Sequence, residues 1–296
     1  MEKDKTLRTK AYRLWKAAGL PEFLNKFGPK RTPGWITYLC YLEYTAHAPA
    51  WRRAANFMED YHGKNRHWTA WQKAIAKWSQ SVWDALRIAS IGEEECEIGA
   101  IDGTTLTRSD ASQHYLHRID RENKVGRPVQ QVLLVDVKKR RFLSWRIRAI
   151  PRGEKCDVPY LIRTCPVTLC GTIMDKGFDS NPLHTILREQ GIWSIAPVRK
   201  GCKRGQYRRQ LRDYFDWGLY WQRNIVESMI SAVKRLFGSH VRARSAPMQR
   251  AELSMRLIAY NIGAEIVTTF YRALVSIPYK SSIFFLSGTS PSALFL

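Results

Sequence analysis

Residues Tyr220–Leu236 read YWQRNIVESMISAVKRL. Wound as one α-helix at ~100° per residue, Tyr220, Arg223, Glu227 and Lys234 fall within an arc of roughly 60°. The opposite half carries Ile225, Val226, Met229, Ala232, Val233 and Leu236. The pattern predicts an amphipathic helix with a packed back and one carboxylate held between two cations and a phenol on its front. A Glu flanked by Arg and Lys on a helix is ordinarily a solvated i,i+4 pair worth a few tenths of a kcal/mol. Two acids upstream change its weight. Asp102 in EIGAIDGT and Asp175 in GTIMDKGFDS each end a β-like run.

Working outward, Ile98 to Ile101 is a short apolar strand ending in Asp102, followed by Gly103 and the hydroxyls of Thr104, Thr105 and Thr107. Residues 108–128 are polar and basic and read as a loop. Val129 to Val137 is a buried strand, Lys138-Lys139-Arg140 a basic hairpin turn, and Arg141 to Ile150 alternates apolar and basic as a half-exposed strand does. Cys156 to Thr164 reads as a helix, and Leu169 to Met174 as a strand ending in Asp175. A helix capped by Asn181 or Asp179 runs through Gln190 and stops at Gly191. Ile192 to Pro197 is a last short strand. Three meander strands followed by alternating units predict an α/β fold, a mixed sheet with helices on both faces as in the ribonuclease H fold.

Residues 1–91 are helical in pattern: Leu7–Ala18, Trp35–Ala46 behind Thr32-Pro33, Ala50–Tyr61, and Ala70 to about Ile88. The pair 51–61 and 69–78, joined by HGKNRHW, reads equally as a helix-turn-helix with a basic joint or as an ordinary helical hairpin. A composition break at Gly92-Glu93-Glu94-Glu95 places a boundary there, giving a helical region 1–91 and a catalytic domain 92–275. The apolar tail 276–296 has no functional reading.

The 48 Lys and Arg outweigh 26 Asp and Glu, for a net charge of +22. Such an excess calls for a polyanionic partner, and nucleic acid is the commonest. The densest cationic run, RKGCKRGQYRRQLR at Arg199–Arg212, directly precedes the Glu227 helix. Arg199, Lys200, Lys203, Arg204, Arg208 and Arg209 are therefore read as phosphate-binding residues at the rim of the site. The six Cys show no CxxC and no zinc spacing, and read as reduced thiols. No secretory leader and no apolar stretch of membrane-spanning length is visible, so a cytoplasmic, nucleoid-associated protein with no membrane partner is expected.

Three acids gathered on one site can hold two divalent cations, and such a pair clamps both the attacking and the leaving oxygen of an in-line displacement at phosphorus. Magnesium, with manganese as a substitute, takes few protein carboxylates and keeps several waters. Asp102 would bridge both ions, while Asp175 and Glu227 would hold one each. Arg223 and Lys234 would hold neighbouring phosphates, and Tyr220 would stack on a base or bond a phosphate. Of the competing acids, Asp136 reads as a salt-bridge residue, and Asp179 and Asp157 as helix caps.

The spacing Y-x2-R-x3-E-x6-K of Tyr220, Arg223, Glu227 and Lys234 resembles the signature helix of insertion-sequence transposases of the DDE type. AIDGTTL (100–106) is similar to that family's first-Asp motif, and MDKGFDS (174–180) to its second, with Phe178 where Tyr is usual. The likeness covers about Cys96 to Ile262 and ends with an AYN segment at Ala259–Asn261. It implies a magnesium-dependent enzyme that acts as a homo-oligomer on double-stranded DNA, cutting at terminal inverted repeats and joining the ends to a target. Only 51 residues lie between Asp175 and Glu227, which leaves no room for the large insertion domain of some relatives. The alternative is a retired transposase that keeps fold and charge and only binds DNA. A ribonucleoprotein component would explain the charge but not the motifs, and a structure-specific nuclease would share the metal site without strand joining.

Overall fold

The computed structural model describes residues 2–25, 30–46, 50–92, 95–108, 128–202 and 204–275, with side chains from residue 7 to residue 263. Residues 109–127 of the loop expected at 108–128, Lys203 and the tail 276–296 lie outside the described residues.

At the centre is a mixed sheet in the order β3-β2-β1-β4-β5. Its strands are β1 (Ile98–Arg108), β2 (Val129–Asp136), β3 (Arg141–Arg148), β4 (Gly171–Met174) and β5 (Trp193–Ile195). β1 to β3 form the antiparallel meander, and β4 and β5 join in parallel with β1. Every residue of β2 is buried, as befits a strand covered on both faces. Asp136 ends it. Its carboxylate accepts from the Lys138 and Lys139 N–H groups and pairs with Arg141, so it organises the hairpin turn as expected of a salt-bridge residue.

Two boundaries differ from expectation in ways that matter for the site. β1 does not stop at Asp102 but runs on through Thr104, Thr105 and Thr107 to Arg108. β-Branched residues suit a strand, and β1 pairs with β2 as far as Leu106. A two-residue strand β6 (His240–Val241) then pairs beside Thr107 and Arg108, an element with no sequence signal.

Five helices precede the sheet: α1 (Glu2–Ala17), α2 (Gly34–Ala46), α3 (Trp51–His62), α4 (Trp68–Ala76) and α5 (Gln80–Ile91). The long helix expected from Ala70 to Ile88 is broken at Lys77–Ser79, where Ser79 starts a new one. α2 is buried on nearly every side and forms the inner helix of this layer. Its Tyr41 and Tyr44 stack with Trp51 at 5.4 and 4.5 Å between ring centres, so these aromatics are core residues. The same apolar core takes in Leu133, Phe142 and Trp145 of the sheet.

After the sheet's first half come a 3-10 turn (Glu154–Asp157), α6 (Val158–Thr164), a second 3-10 turn (Lys176–Phe178) and α7 (Asn181–Glu189). Then follow α8 (Gln206–Asp213), α9 (Trp217–Trp221), α10 (Asn224–Phe237) and α11 (Ala246–Val275). Asn261, in the AYN segment, accepts from the Phe142 N–H at 2.8 Å and donates to its carbonyl and to Ser90 Oγ. One amide side chain thus ties β3, α5 and α11 together.

Candidate active site

The register decides where the acids meet. Ile101 on β1 faces Met174 on β4, so Asp102 and Asp175 come next on neighbouring parallel chains, which run roughly 4.8 Å apart. Asp102 accepts from the Gly103 N–H at 2.8 Å. Asp175 ends its strand and opens the 3-10 turn of Lys176–Phe178.

Glu227 arrives from α10, whose buried Val226, Met229, Ile230 and Val233 form its packed back. The single helix expected over 220–236 is in fact two. α9 ends at Trp221, residues 222 and 223 turn, and α10 begins at Asn224. Leu236, assigned to the packed back, is 63% exposed, because the helix runs out at Gly238 before reaching more core. The break leaves Arg223 at the head of α10, with its guanidinium Nη1 2.7 Å from Glu227 Oε1 and 3.9 Å from Asp102 Oδ2.

The electrostatics agree with one shared site. Burial pushes the Asp102 carboxyl above its ordinary range; the Gly103 N–H and Arg223 pull it down, and the charges of Glu227 and Asp175 push it up again. Burial pulls Arg223 down, but Glu227, Tyr220 and Asp175 outweigh it and hold the guanidinium above its usual value. Among the described residues no three His, Cys, Asp or Glu side chains lie close enough together to hold a metal ion. Arg223 bridges two of the acids instead.

Tyr220 lies beside Arg223, its ring 6.0 Å from the guanidinium carbon, and burial raises its phenol. Lys234, two turns past Glu227, lines a shallow cavity with Thr104, Gln131 and Arg256. The cationic run divides in two. Lys200, Arg204 and Arg209 are exposed. Arg199 donates to the carbonyls of Lys176 and Gly177, which puts it against the turn after Asp175. Arg208 is committed to Asp179 at 2.8 Å. Asp179 is therefore a buried anchor, not a helix cap: it also accepts from the Arg199 N–H at 2.9 Å, and Arg208 and Arg199 hold its carboxyl low against the upward push of burial. Ser180 takes the cap position of α7. Asp157 does stand at the N-cap position of α6, as expected, but its carboxylate pairs with Arg148 and makes no side-chain cap hydrogen bond.

An exposed aromatic rim was not foreseen. Trp217 and Trp221 on α9 are 56% and 62% exposed and touch Tyr220. The density of rings in YFDWGLYW (214–221) was the available signal.

A family model described as the transposase DDE domain matches residues 95–262, more than half of the chain. Among solved structures, the chain is similar to a piggyBac transposase in a synaptic complex with hairpin DNA, seen by cryo-EM. That likeness has 11% identity and a TM-score of 0.48, over 90% of this chain and 74% of that one. No curated protein matches. With the matched segment enclosing both Asp motifs, Arg223, Glu227 and the AYN helix, the chain belongs to the family of the transposase DDE domain.

Proposed function

We propose that this protein is a DNA transposase with a ribonuclease H-like catalytic domain that cuts at the ends of an insertion sequence and joins them to target DNA. The observation that carries the reading is that Arg223 bridges Asp102 and Glu227 while Asp175 stands beside Asp102 at the end of the neighbouring parallel strand. Carboxylates are hard oxygen donors, which suits magnesium or manganese. Asp102, Asp175 and Glu227 would hold the ions, and bound there they would neutralise charge on the attacking and leaving oxygens of phosphoryl transfer.

The chain's own residues supply the rest. Arg223 stands in for cationic charge among the acids and, with DNA present, has a phosphate to turn to within a side chain's reach. Lys234 offers a second cation two turns along the same helix. Lys200, Arg204 and Arg209 are free to track the backbone, while Arg199 and Arg208 brace the turn that carries Asp175. Tyr220, Trp217 and Trp221 offer rings to unstacked bases. Residues 1–91 are the candidate reader of the terminal repeats through α3 and α4, 92–275 the catalytic domain, and DNA synapsis calls for a homo-oligomer. No helix among the described residues is long and apolar enough to cross a membrane.

The test is cleavage of a supercoiled plasmid carrying the flanking element ends, with and without magnesium. Magnesium-dependent cuts at those ends are expected. Asp102→Asn, Asp175→Asn and Glu227→Gln should each abolish them while leaving DNA binding largely intact. Parental cleavage by any one variant removes that residue from the metal site. DNA binding without cleavage in the parent protein would replace the enzyme with a DNA-binding descendant of one.

A further inference from the structure

Asp179 stands four residues beyond Asp175 and is 2% exposed. The chain between them is tight. The Phe178 N–H donates to the Asp175 carbonyl at 2.9 Å and the Asp179 N–H to the Lys176 carbonyl at 3.2 Å. The Phe178 side chain is buried in the core it shares with Met174 and Leu183. A turn this short has no strand or helix ladder to take up its outer carbonyls, so they need other partners. Arg199 supplies one: its Nε donates to the Lys176 carbonyl at 3.3 Å and its Nη2 to the Gly177 carbonyl at 2.6 Å.

Asp179 in turn holds Arg199 in place, its Oδ2 accepting from the Arg199 main-chain N–H at 2.9 Å. Its other oxygen, Oδ1, takes Arg208 Nε from α8 at 2.8 Å and stands 3.5 Å from His184 Nε2 on α7. Arg208 Nη2 also reaches the Asp179 carbonyl at 3.4 Å. One buried carboxylate thus joins the turn after Asp175, the segment after β5, α7 and α8. A buried ion pair is a weak source of stability, since apolar side chains of similar volume often serve as well. This one draws Arg208 out of a cationic run, in a chain whose charge otherwise suits phosphate. Without Asp179, Arg208 would be free for DNA, and Arg199 would no longer be held against the turn.

We propose that Asp179 is a positioning residue for the cleavage reaction: through Arg199 and Arg208 it fixes the turn that aims the Asp175 carboxylate, and it withdraws Arg208 from phosphate. The proposal rests on the reading of Asp175 as a group the reaction needs. It divides the cationic run by task. Arg199 and Arg208 serve the site, while Lys200, Arg204 and Arg209 stay exposed for DNA.

The experiment uses the full chain and the supercoiled plasmid carrying the element ends. Asp179→Asn, nearly equal in size, is expected to lower the cleavage rate at saturating plasmid by about tenfold or more. The DNA dissociation constant and its salt slope should keep their parental values, the pattern of lost positioning and not of lost binding. Amide hydrogen exchange should quicken in the peptides that hold residues 176–180 and 199, and stay parental across β2. Arg208→Gln repeats the test should Asp179→Asn fail to fold, and adds a contrast. It should leave the salt slope unchanged, whereas Arg209→Gln beside it should lower the slope by about one unit. A folded Asp179→Asn protein that cuts at the parental rate overturns the proposal. So does a loss of rate accompanied by equally quickened exchange across β2, which is general loosening of the fold. A salt slope that falls as far in Arg208→Gln as in Arg209→Gln also overturns it, by returning Arg208 to phosphate. Asp175→Asn, run alongside, separates the two ideas. If it abolishes cleavage while Asp179→Asn cuts at the parental rate, only the positioning role falls. If Asp175→Asn itself cuts at the parental rate, the reading of Asp175 falls, and the role of Asp179 with it.

Discussion

Arg223→Ala probes the charge balance of the site most directly. In the metal-free protein Arg223 is the cation that Asp102 and Glu227 share. Its Nη1 lies 3.9 Å from Asp102 Oδ2, with both side chains 19% exposed. At an effective dielectric constant of ~20 a unit pair at that distance attracts by about 4 kcal/mol. The Glu227 arm is shorter, 2.7 Å, but Glu227 is 49% exposed, so this i,i+4 contact contributes only about 0.3–0.5 kcal/mol. The cost of burying the guanidinium offsets much of the first figure. A net loss of about 1–2 kcal/mol follows, or a melting temperature lower by about 2–8 °C for a chain of this size. The assay is thermal melting in EDTA and across a magnesium titration. Because truncation leaves Asp102 facing Glu227 and Asp175 with no cation, magnesium should raise the melting temperature more in the variant than in the parent. The same substitution should weaken DNA binding and lower its salt slope by about one unit for one lost phosphate contact. A melting temperature within 1 °C of the parent in EDTA, with an equal response to magnesium, would refute the bridging role.

Two further outcomes concern the scaffold. Arg256 and Glu252, with side chains 2% and 4% exposed, form a buried pair. Arg256 also donates to the carbonyls of Gly238 and His240; Arg256→Leu should cost about 3–5 kcal/mol in a urea unfolding curve, and a loss below 1 kcal/mol would show that the pair is not buried. His184 is fully buried, bonded to Ser194 Oγ at 2.7 Å, and burial pulls its pKa below the ordinary value. A depressed folded pKa means that the unfolded chain takes up the proton first. Stability should therefore fall as pH drops below about 6.5, and His184→Gln should flatten that fall between pH 7.5 and 5.5; parallel melting curves would clear His184 of the effect.

What the sequence revealed and what it hid have physical causes. The meander, the parallel strands and the three acids were legible because each rests on a local pattern: a period-2 or fully apolar run, then a carboxylate. The extension of β1 past Asp102 was hidden because Thr104, Thr105 and Thr107 advertise hydroxyl chemistry as readily as strand propensity. The break at Gln222–Arg223 was hidden because both halves share one amphipathic phase, and only the tertiary fit of α9 beside β4 separates them. The role of Asp179 was out of reach. Its partners, Arg199 and Arg208, lie 20 and 29 residues away, and a cap was the only local explanation. The same long-range pairing withdraws Arg208 from a cationic run that looked uniform.

The apolar core shared by α2, α5, β3 and α11 bears on how shortened copies of such a gene behave. A product starting near residue 92 would keep every acid of the site but would leave Phe142, Trp145 and the inner face of α11 open to water. Such a product would expose that apolar surface and is expected to aggregate or be degraded rather than persist. In this architecture a loss at the start of the reading frame removes the protein instead of leaving a separate catalytic domain.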